Sequence, residues 1–284
     1  WQHFFGTGLV KTSENFGVQG EPPSHPELLD WLAVEFVRSG WDVKQLHRMI
    51  VTTATYRLAS AVTREQTERD PENRLLARGP RFRFSAHMIR DQALAVSGLL
   101  QERIGGPSVK PYAPAGIWKS ISNNKYVQDH GPSLYRRSLY TYWRRTVPPP
   151  TMATFNAAER EVCLVRKGRT NTPLQALTLM NNVAFVEAAR FLAERIMREA
   201  DSDSQIRHGF RIVTGRLPRA SETELLAQAN DQFLDYFAKN PMEASKLLTI
   251  GEAPRDKKLP AERHAALTML ANILLNLDEA ITLE

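Results

Sequence analysis

The chain of 284 residues has an ordinary globular composition, with 42% hydrophobic and 24% charged residues and a net charge of +6. Such a chain can bury a substantial core, and it contains no run of about 18 uncharged apolar residues of the kind that crosses a membrane. The single Cys163 excludes an internal disulfide and a c-type haem site, which needs Cys-x-x-Cys-His. We therefore expect no membrane insertion, no metal site and no cofactor in this chain.

The chain begins at Trp1, without an initiator Met or the charged and apolar regions of a signal peptide. We therefore expect a fragment of a longer protein. No targeting signal indicates its cellular location.

Capping residues and apolar periodicity predict several helices in the first hundred residues. Helices are predicted to begin at Ser24, where Ser-x-x-Glu has the spacing of a capping box, and then at Asp42, Asp70 and Ser85. The last of these is expected to end near Gly105-Gly106.

From residue 107 to residue 150 the helical period is lost, and Pro and Gly recur. Side chains from Arg136 to Arg145 alternate between two sides and include three aromatic residues, which favours a strand. We therefore predict a small β insertion in this segment.

The second half of the chain again predicts helices. Thr172 and Gln175 form a second capping box with Pro173 at the first helical position. The helix from Pro173 to Glu199 carries two apolar faces, so it is predicted to be central and packed on both sides, with Leu177 buried. Further helices are predicted at about Ser204–Thr214, Ser221–Lys239 and Ala261–Leu277, and the polar residues 251–258 are expected to form an exposed loop.

These elements predict a mainly α fold, a multi-helix domain with a small β insertion. We expect one domain over residues 1–284, helical over 1–106, β or irregular over 107–150, and helical over 151–284.

The positive charge of this chain is local. Between Leu134 and Thr170 there are eight Lys or Arg residues and two acidic residues, while the remaining 29 basic and 29 acidic residues cancel. Cations interleaved with aromatic and amide side chains are typical of a surface for an anionic or polyhydroxylated partner. The candidate ligand-binding residues are Arg137, Tyr140, Trp143, Arg144, Arg169 and Asn171.

Two alternatives to a binding site use the same residues. An alternating strand beside an acidic helix would place the arginines in internal ion pairs. Asn171 at a helix start is explained by capping alone, although a helix N-terminus beside Arg169 can also hold an anion.

Three classes of function are consistent with these features. The first is a non-catalytic binding or assembly module for an acidic polysaccharide or for a neighbouring domain, which fits the local charge and the lack of recognised catalytic motifs. The second is a carbohydrate-active enzyme with a carboxylate pair such as Glu21 and Asp91. The third and weakest is nucleic-acid binding, suggested by the pI of about 9.5.

Motifs along nearly the whole chain resemble one family. They are Trp1 to Gly6, Gly20 to Leu32, Ile50 to Arg57, Ile89-Arg90-Asp91, Gly105 to Ser108, the Arg-Arg-Ser-Leu-Tyr block at 136–140, Arg169 to Leu177, and Asn276 to Glu279. Together they resemble the planctomycete-specific C-terminal domain of unknown function, which occurs in large proteins with planctomycete-type cytochrome c domains.

The resemblance implies an exported protein, at the periplasm or cell surface, with a haem c domain as a neighbour, but it implies no agreed activity. Asn156 and Asn182 stand where this family usually has Asp. An amide cannot act as a general base near neutral pH, so a catalytic role there would be lost, whereas a capping role would survive.

Overall fold

Helices dominate the fold, which we describe from a computed structural model for residues 1–119, 125–165 and 168–283. The predicted mainly α fold is confirmed: within the described residues, strands form only one two-stranded antiparallel sheet. The chain divides into two compact units. The first contains Trp1–Arg83, Cys163–Gly168 and Thr282–Glu284, and the second contains Phe84–Val162 and Arg169–Ile281.

Within its described residues, the first unit carries four α-helices and the sheet. These are α1 (Gln2–Phe5), α2 (Pro26–Arg38), α3 (Val43–Thr52), α4 (Arg64–Arg69), β1 (Phe82–Arg83) and β2 (Thr282–Leu283). The two strands pair with Phe82 opposite Leu283 and Arg83 opposite Thr282. The paired strands therefore lie outside the segment 107–150, where sequence patterns placed the β insertion.

Helix starts in the first unit follow the sequence in part. Asp42 caps α3 by accepting a hydrogen bond from the N–H of Gln45, as predicted. The predicted Ser24 cap is wrong: the N-cap of α2 is His25, and the Ser24 hydroxyl donates to the carbonyl of Leu9 instead.

Asp70 ends a helix rather than beginning one, so that prediction is also wrong. It is the C-cap of α4, and its carboxylate accepts hydrogen bonds from the N–H groups of Arg74 and Leu75. The helix itself begins with a capping box of Thr63 and Gln66, which sequence analysis missed. A carboxylate that binds amides four and five residues ahead stabilises a turn.

The second unit contains the main core and nine further helices within its described residues. They are α5 (Ala86–Ser97), α6 (Pro150–Thr154), α7 (Pro173–Asn181), α8 (Val183–Glu199), α9 (Gln205–Thr214), α10 (Ala220–Lys239), α11 (Pro241–Leu247), α12 (Ala261–Leu275) and α13 (Asp278–Ile281). Ser85 caps α5 as predicted, but the helix ends at Gly98, before the predicted Gly105-Gly106.

The predicted central helix is in fact two helices, because the chain turns at Asn182. This residue has an extended backbone, ends α7, and caps α8 by accepting a hydrogen bond from the N–H of Ala184. The predicted burial of Leu177 is wrong, since its relative exposure is 55%, whereas Leu179 is 2% exposed. Packing on two sides holds for α8, which lies against α5 and α12.

Helix α12 is buried on most of its circumference, as expected of a helix that is apolar on every side. Together with α8 it forms the centre of the core. Among the described helices, none is long and apolar enough to span a bilayer.

The predicted strand from Arg136 to Arg145 is wrong. One 3-10 helix, Gly131–Tyr135, ends just before this segment, and a second, Ser138–Tyr140, lies within its first part. Beyond them the described residues form only isolated bridges, including Val109 with Thr141 and Arg144 with Val147.

Candidate functional site

Two neighbouring side chains of α5 hold the segment from Leu134 to Arg145, which we call the Arg-rich segment. The guanidinium of Arg90 is 5% exposed and donates hydrogen bonds to the carbonyls of Leu134 and Arg136. The carboxylate of Asp91 accepts from the N–H of Ser138 at 2.6 Å. Because these side chains satisfy backbone groups that a neighbouring strand would otherwise bind, the segment folds as turns.

Two residues of the segment serve the fold. Arg136 is buried, and its guanidinium donates to the carbonyls of Pro107, Arg103 and Gly105 while lying 3.8 Å from the centre of the Tyr140 ring. The hydroxyl of Tyr140 accepts from the N–H of Gly105 at 2.7 Å. One face of the Tyr140 ring is therefore already covered, and its hydroxyl is engaged.

Trp143 also has its ring covered. The His87 ring is stacked at a centroid distance of 6.4 Å, and the guanidinium of Arg160 lies 4.6 Å from the ring centre. The indole N–H donates to the carbonyl of Glu159. These contacts fix the ring within the protein, so it is poorly placed for stacking on a sugar.

Arg137 is exposed and contacts Asp91, with 3.8 Å between its Nε and Oδ2 of the carboxylate. It lines an open groove of about 570 Å³ whose walls include the apolar side chains of Met88 and Ile104 and the carboxylate of Glu102. The groove thus carries charges of both signs. Asp91 of the predicted carboxylate pair is engaged here, and Glu21 belongs to the other compact unit.

Arg144 lies in a different place, at a cleft lined by Trp118, Tyr126, Tyr142 and Arg144, with Lys110 beside it over the Tyr142 ring. We call these five residues the basic-aromatic cleft. The guanidinium of Arg144 lies 4.9 Å from the centre of the Trp118 ring, and the ammonium of Lys110 lies 5.2 Å from that of Tyr142. Trp118 is 7% exposed and packs edge-on against Tyr126. The rings therefore form a fixed base under two cations.

Lys110 and Arg144 form no ion pair with a carboxylate in the described part of the chain. Other arginines of the segment are engaged, as Arg145 is with Glu161 at 3.7 Å. The space inside the cleft that is open to water is about 40 Å³, room for roughly three water molecules. Burial raises the pKa of Tyr126 to about 12, so its phenol is neutral at physiological pH.

Arg169 and Asn171 lie at the start of α7, and both are exposed. The predicted capping box is confirmed, with Thr172 and Gln175 each binding the other's backbone N–H. Asn156, which has a positive φ of 59°, accepts hydrogen bonds from the N–H and hydroxyl of Thr170. Its amide oxygen therefore positions the chain just before α7. Two further basic residues of the predicted cationic segment, Arg166 and Lys167, lie outside the described residues.

A buried polar network joins α8 to the segment that was predicted to be an exposed loop, residues 251–258. The carboxylate of Glu187 accepts hydrogen bonds from the hydroxyls of Tyr112 and Tyr135 and from the N–H of Ala253. Glu194 accepts from the N–H of Asp256. The segment is thus a loop with no buried residue, as predicted, and two buried carboxylates tether its backbone.

The six predicted site residues do not share one set of contacts. Arg137 lines the mixed-charge groove, Arg144 lines the cleft, and Tyr140 and Trp143 make internal contacts. Lys110, Trp118 and Tyr126 were not predicted as site residues, although a cation and two aromatic residues within one irregular segment are a signal for such a site. No group of three His, Cys, Asp or Glu side chains suited to a metal ion occurs among the residues that the structure describes.

These features define a mainly α-helical protein with an unneutralised cationic cleft on its larger unit. The chain belongs to the PSD1 family, described as a protein of unknown function (DUF1553), whose profile matches residues 1–229. That match ends within α10, so α12 at the centre of the core lies beyond it. No curated protein and no solved structure matches the chain.

Proposed function

We propose that this chain is a non-catalytic binding or assembly module that presents its basic-aromatic cleft to an acidic partner. The partner is an acidic polysaccharide or an acidic surface of a neighbouring protein domain. The observation that carries the proposal is the pair of cations, Lys110 and Arg144, which lie over aromatic rings without a carboxylate partner among the described residues.

The rings support this function by positioning the cations. A guanidinium over an aromatic face keeps its N–H edge directed away from the ring, where it can donate to a carboxylate or sulfate. The proposal does not include stacking of a sugar on Tyr140 or Trp143, because the Arg136 guanidinium covers one face of the Tyr140 ring and internal contacts hold the Trp143 ring. Binding through charge should therefore weaken strongly as salt is added.

The resemblance to planctomycete proteins supplies the rest of the proposal. On that resemblance we propose that the module belongs to an exported multidomain protein, at the periplasm or cell surface, with a haem c domain as a candidate partner. Carbohydrate hydrolysis and nucleic-acid binding stay predictions, and no contact described above favours either of them.

The test is the affinity of the full chain for soluble polyanions, measured by calorimetry at two salt concentrations. Arg144→Gln should weaken binding roughly 10- to 100-fold, as expected for the loss of a charge-assisted hydrogen bond. Arg145→Gln is the matched control, because it removes the same charge one residue away, from an exposed side chain paired with Glu161. Equal losses in the two variants, or no binding by the wild type, would overturn the proposal.

A further inference from the structure

The basic-aromatic cleft contains a buried hydroxyl that has no hydrogen-bond partner within the described residues. Thr141 is 6% exposed and lines the cleft together with Arg144. A buried polar atom without a partner is rare and costly in native proteins. A ligand group that binds this hydroxyl would remove the cost.

Two other polar side chains of the cleft, Tyr126 and Asn182, are already engaged. The hydroxyl of Tyr126 donates to the carbonyl of Pro111. The Asn182 side chain accepts from the N–H of Ala184 and donates to the hydroxyl of Thr151. The lining therefore offers few groups to a ligand with many hydroxyls, such as a sugar ring.

The charge of the cleft is positive at more than one position. Arg90 also lines it, and the closest approach between its guanidinium and the Asp91 carboxylate is 4.0 Å. Asp91 is shared with Arg137, which lines the other groove. A negative group in the cleft would therefore meet a field from Arg90 as well as Arg144.

The other residues that line the cleft are mostly apolar, and the space between them is narrow. The open space of about 40 Å³ is small for a six-membered ring but sufficient for a carboxylate on a thin aliphatic stem. The apolar lining residues are Ile117, Val147, Pro149, Pro150, Met152 and Phe185.

We propose that the cleft binds the side chain of a glutamate from a protein partner, with Arg144 and Thr141 donating to the carboxylate and the apolar wall covering its methylenes. This inference rests on the proposed function and selects a protein over a polysaccharide as the partner. Two nearby carboxylates would oppose binding: Asp129, which is held by the N–H of Lys110, and Asp91, which lies 4.0 Å from the Arg90 guanidinium. No bond is made or broken in this interaction.

The test compares poly-L-glutamate, poly-L-aspartate and polygalacturonate of matched length at one salt concentration. Wild type should bind polyglutamate about fourfold more tightly than polyaspartate, the ratio for one further buried methylene at ~0.8 kcal/mol. Polygalacturonate should bind more weakly than polyglutamate.

Thr141→Val and Thr141→Ser separate the hydroxyl from the packing. Thr141→Val should weaken polyglutamate binding at least about fivefold without lowering the melting temperature, because the deleted hydroxyl has no partner among the described residues of the free protein. Thr141→Ser keeps the hydroxyl and should bind as the wild type does.

The outcomes distinguish the two proposals. If polyanions bind and Arg144→Gln weakens them but Thr141→Val does not, the glutamate site is wrong and the general function stands. Tighter binding of polygalacturonate than of polyglutamate also overturns the glutamate site. If none of the three polymers binds, both proposals fail.

Discussion

A methyl group on Gly251 would overlap the carboxylate of Glu187, because the backbone of this glycine lies directly against that buried side chain. Gly251 also has a backbone φ of +91°, which residues that carry a side chain rarely adopt. The same carboxylate binds the N–H of Ala253 at 2.8 Å. The close approach thus lets a carboxylate of the core hold the following loop.

Gly251→Ala should therefore destabilise the protein by about 3 kcal/mol or more, since it combines backbone strain with overpacking. Gly215→Ala is the control, because Gly215 has a φ of +79° but nothing within 4 Å of an added Cβ. That variant should cost only about 1 to 2 kcal/mol. Equal costs in urea unfolding would contradict the close contact with Glu187.

His264 should make the stability of the protein depend on pH. Its Nε2 lies 3.0 Å from the carbonyl oxygen of Arg190, and burial lowers its pKa from 6.5 to about 4, with smaller contributions from nearby arginines. Between these values the unfolded chain takes up a proton that the folded protein does not. The free energy of unfolding should therefore fall as the pH drops from about 6.5, by roughly 2 to 3 kcal/mol in total by pH 4.

The range from pH 6.5 to about 5 favours this effect, because carboxylates with lowered pKa values, such as Glu222 at about 2, begin to lose their stabilising contribution only as the pH falls towards their unfolded value of 4.5. His264→Gln keeps a donor for the Arg190 carbonyl and cannot be protonated. Unfolding measured across this range should lose its pH slope in that variant. An unchanged slope would show that another group titrates.

Two neighbouring leucines test which face of α7 is buried. Leu179→Ala should cost about 2 to 5 kcal/mol through lost burial and a cavity in the core. Leu177→Ala changes the same side chain at an exposed position and should cost less than about 0.5 kcal/mol. Thermal or urea unfolding of both variants measures these costs. A larger cost for Leu177→Ala than for Leu179→Ala would instead support a single central helix with Leu177 buried.

Asn182→Asp tests the cap and the cleft together. The carboxylate should still accept from the N–H of Ala184, and negative charge at a helix N-terminus is favourable, so stability should change by less than about 0.5 kcal/mol. Because Asn182 also lines the cleft, the new charge should weaken polyanion binding several-fold. Asn182→Ala should instead cost about 1 kcal/mol of stability. Equal stability losses in the two variants would show that the side chain does not cap α8.

The Arg-rich segment shows why alternation was not enough to predict a strand. Burial does alternate at its start, with Arg136 and Ser138 inside and Arg137 outside. A strand also needs a partner for its backbone groups, and here Arg90 and Asp91 of α5 bind several of them instead. That competition depends on a residue about 45 positions away, which no local pattern contains.

The sequence by itself determined the fold class, the family and those helix starts that depend on a cap and its neighbours, as at Asp42, Ser85 and Thr172. These features are local, because a cap binds an N–H only two or three residues away. Tertiary structure alone decided that α7 turns its Leu177 outward, that Arg136 is buried while Arg144 lies over Trp118, and that Thr141 lines a cleft. Each of these depends on which distant groups occupy the neighbouring space, and burial and charge pairing are set by those groups rather than by residue type.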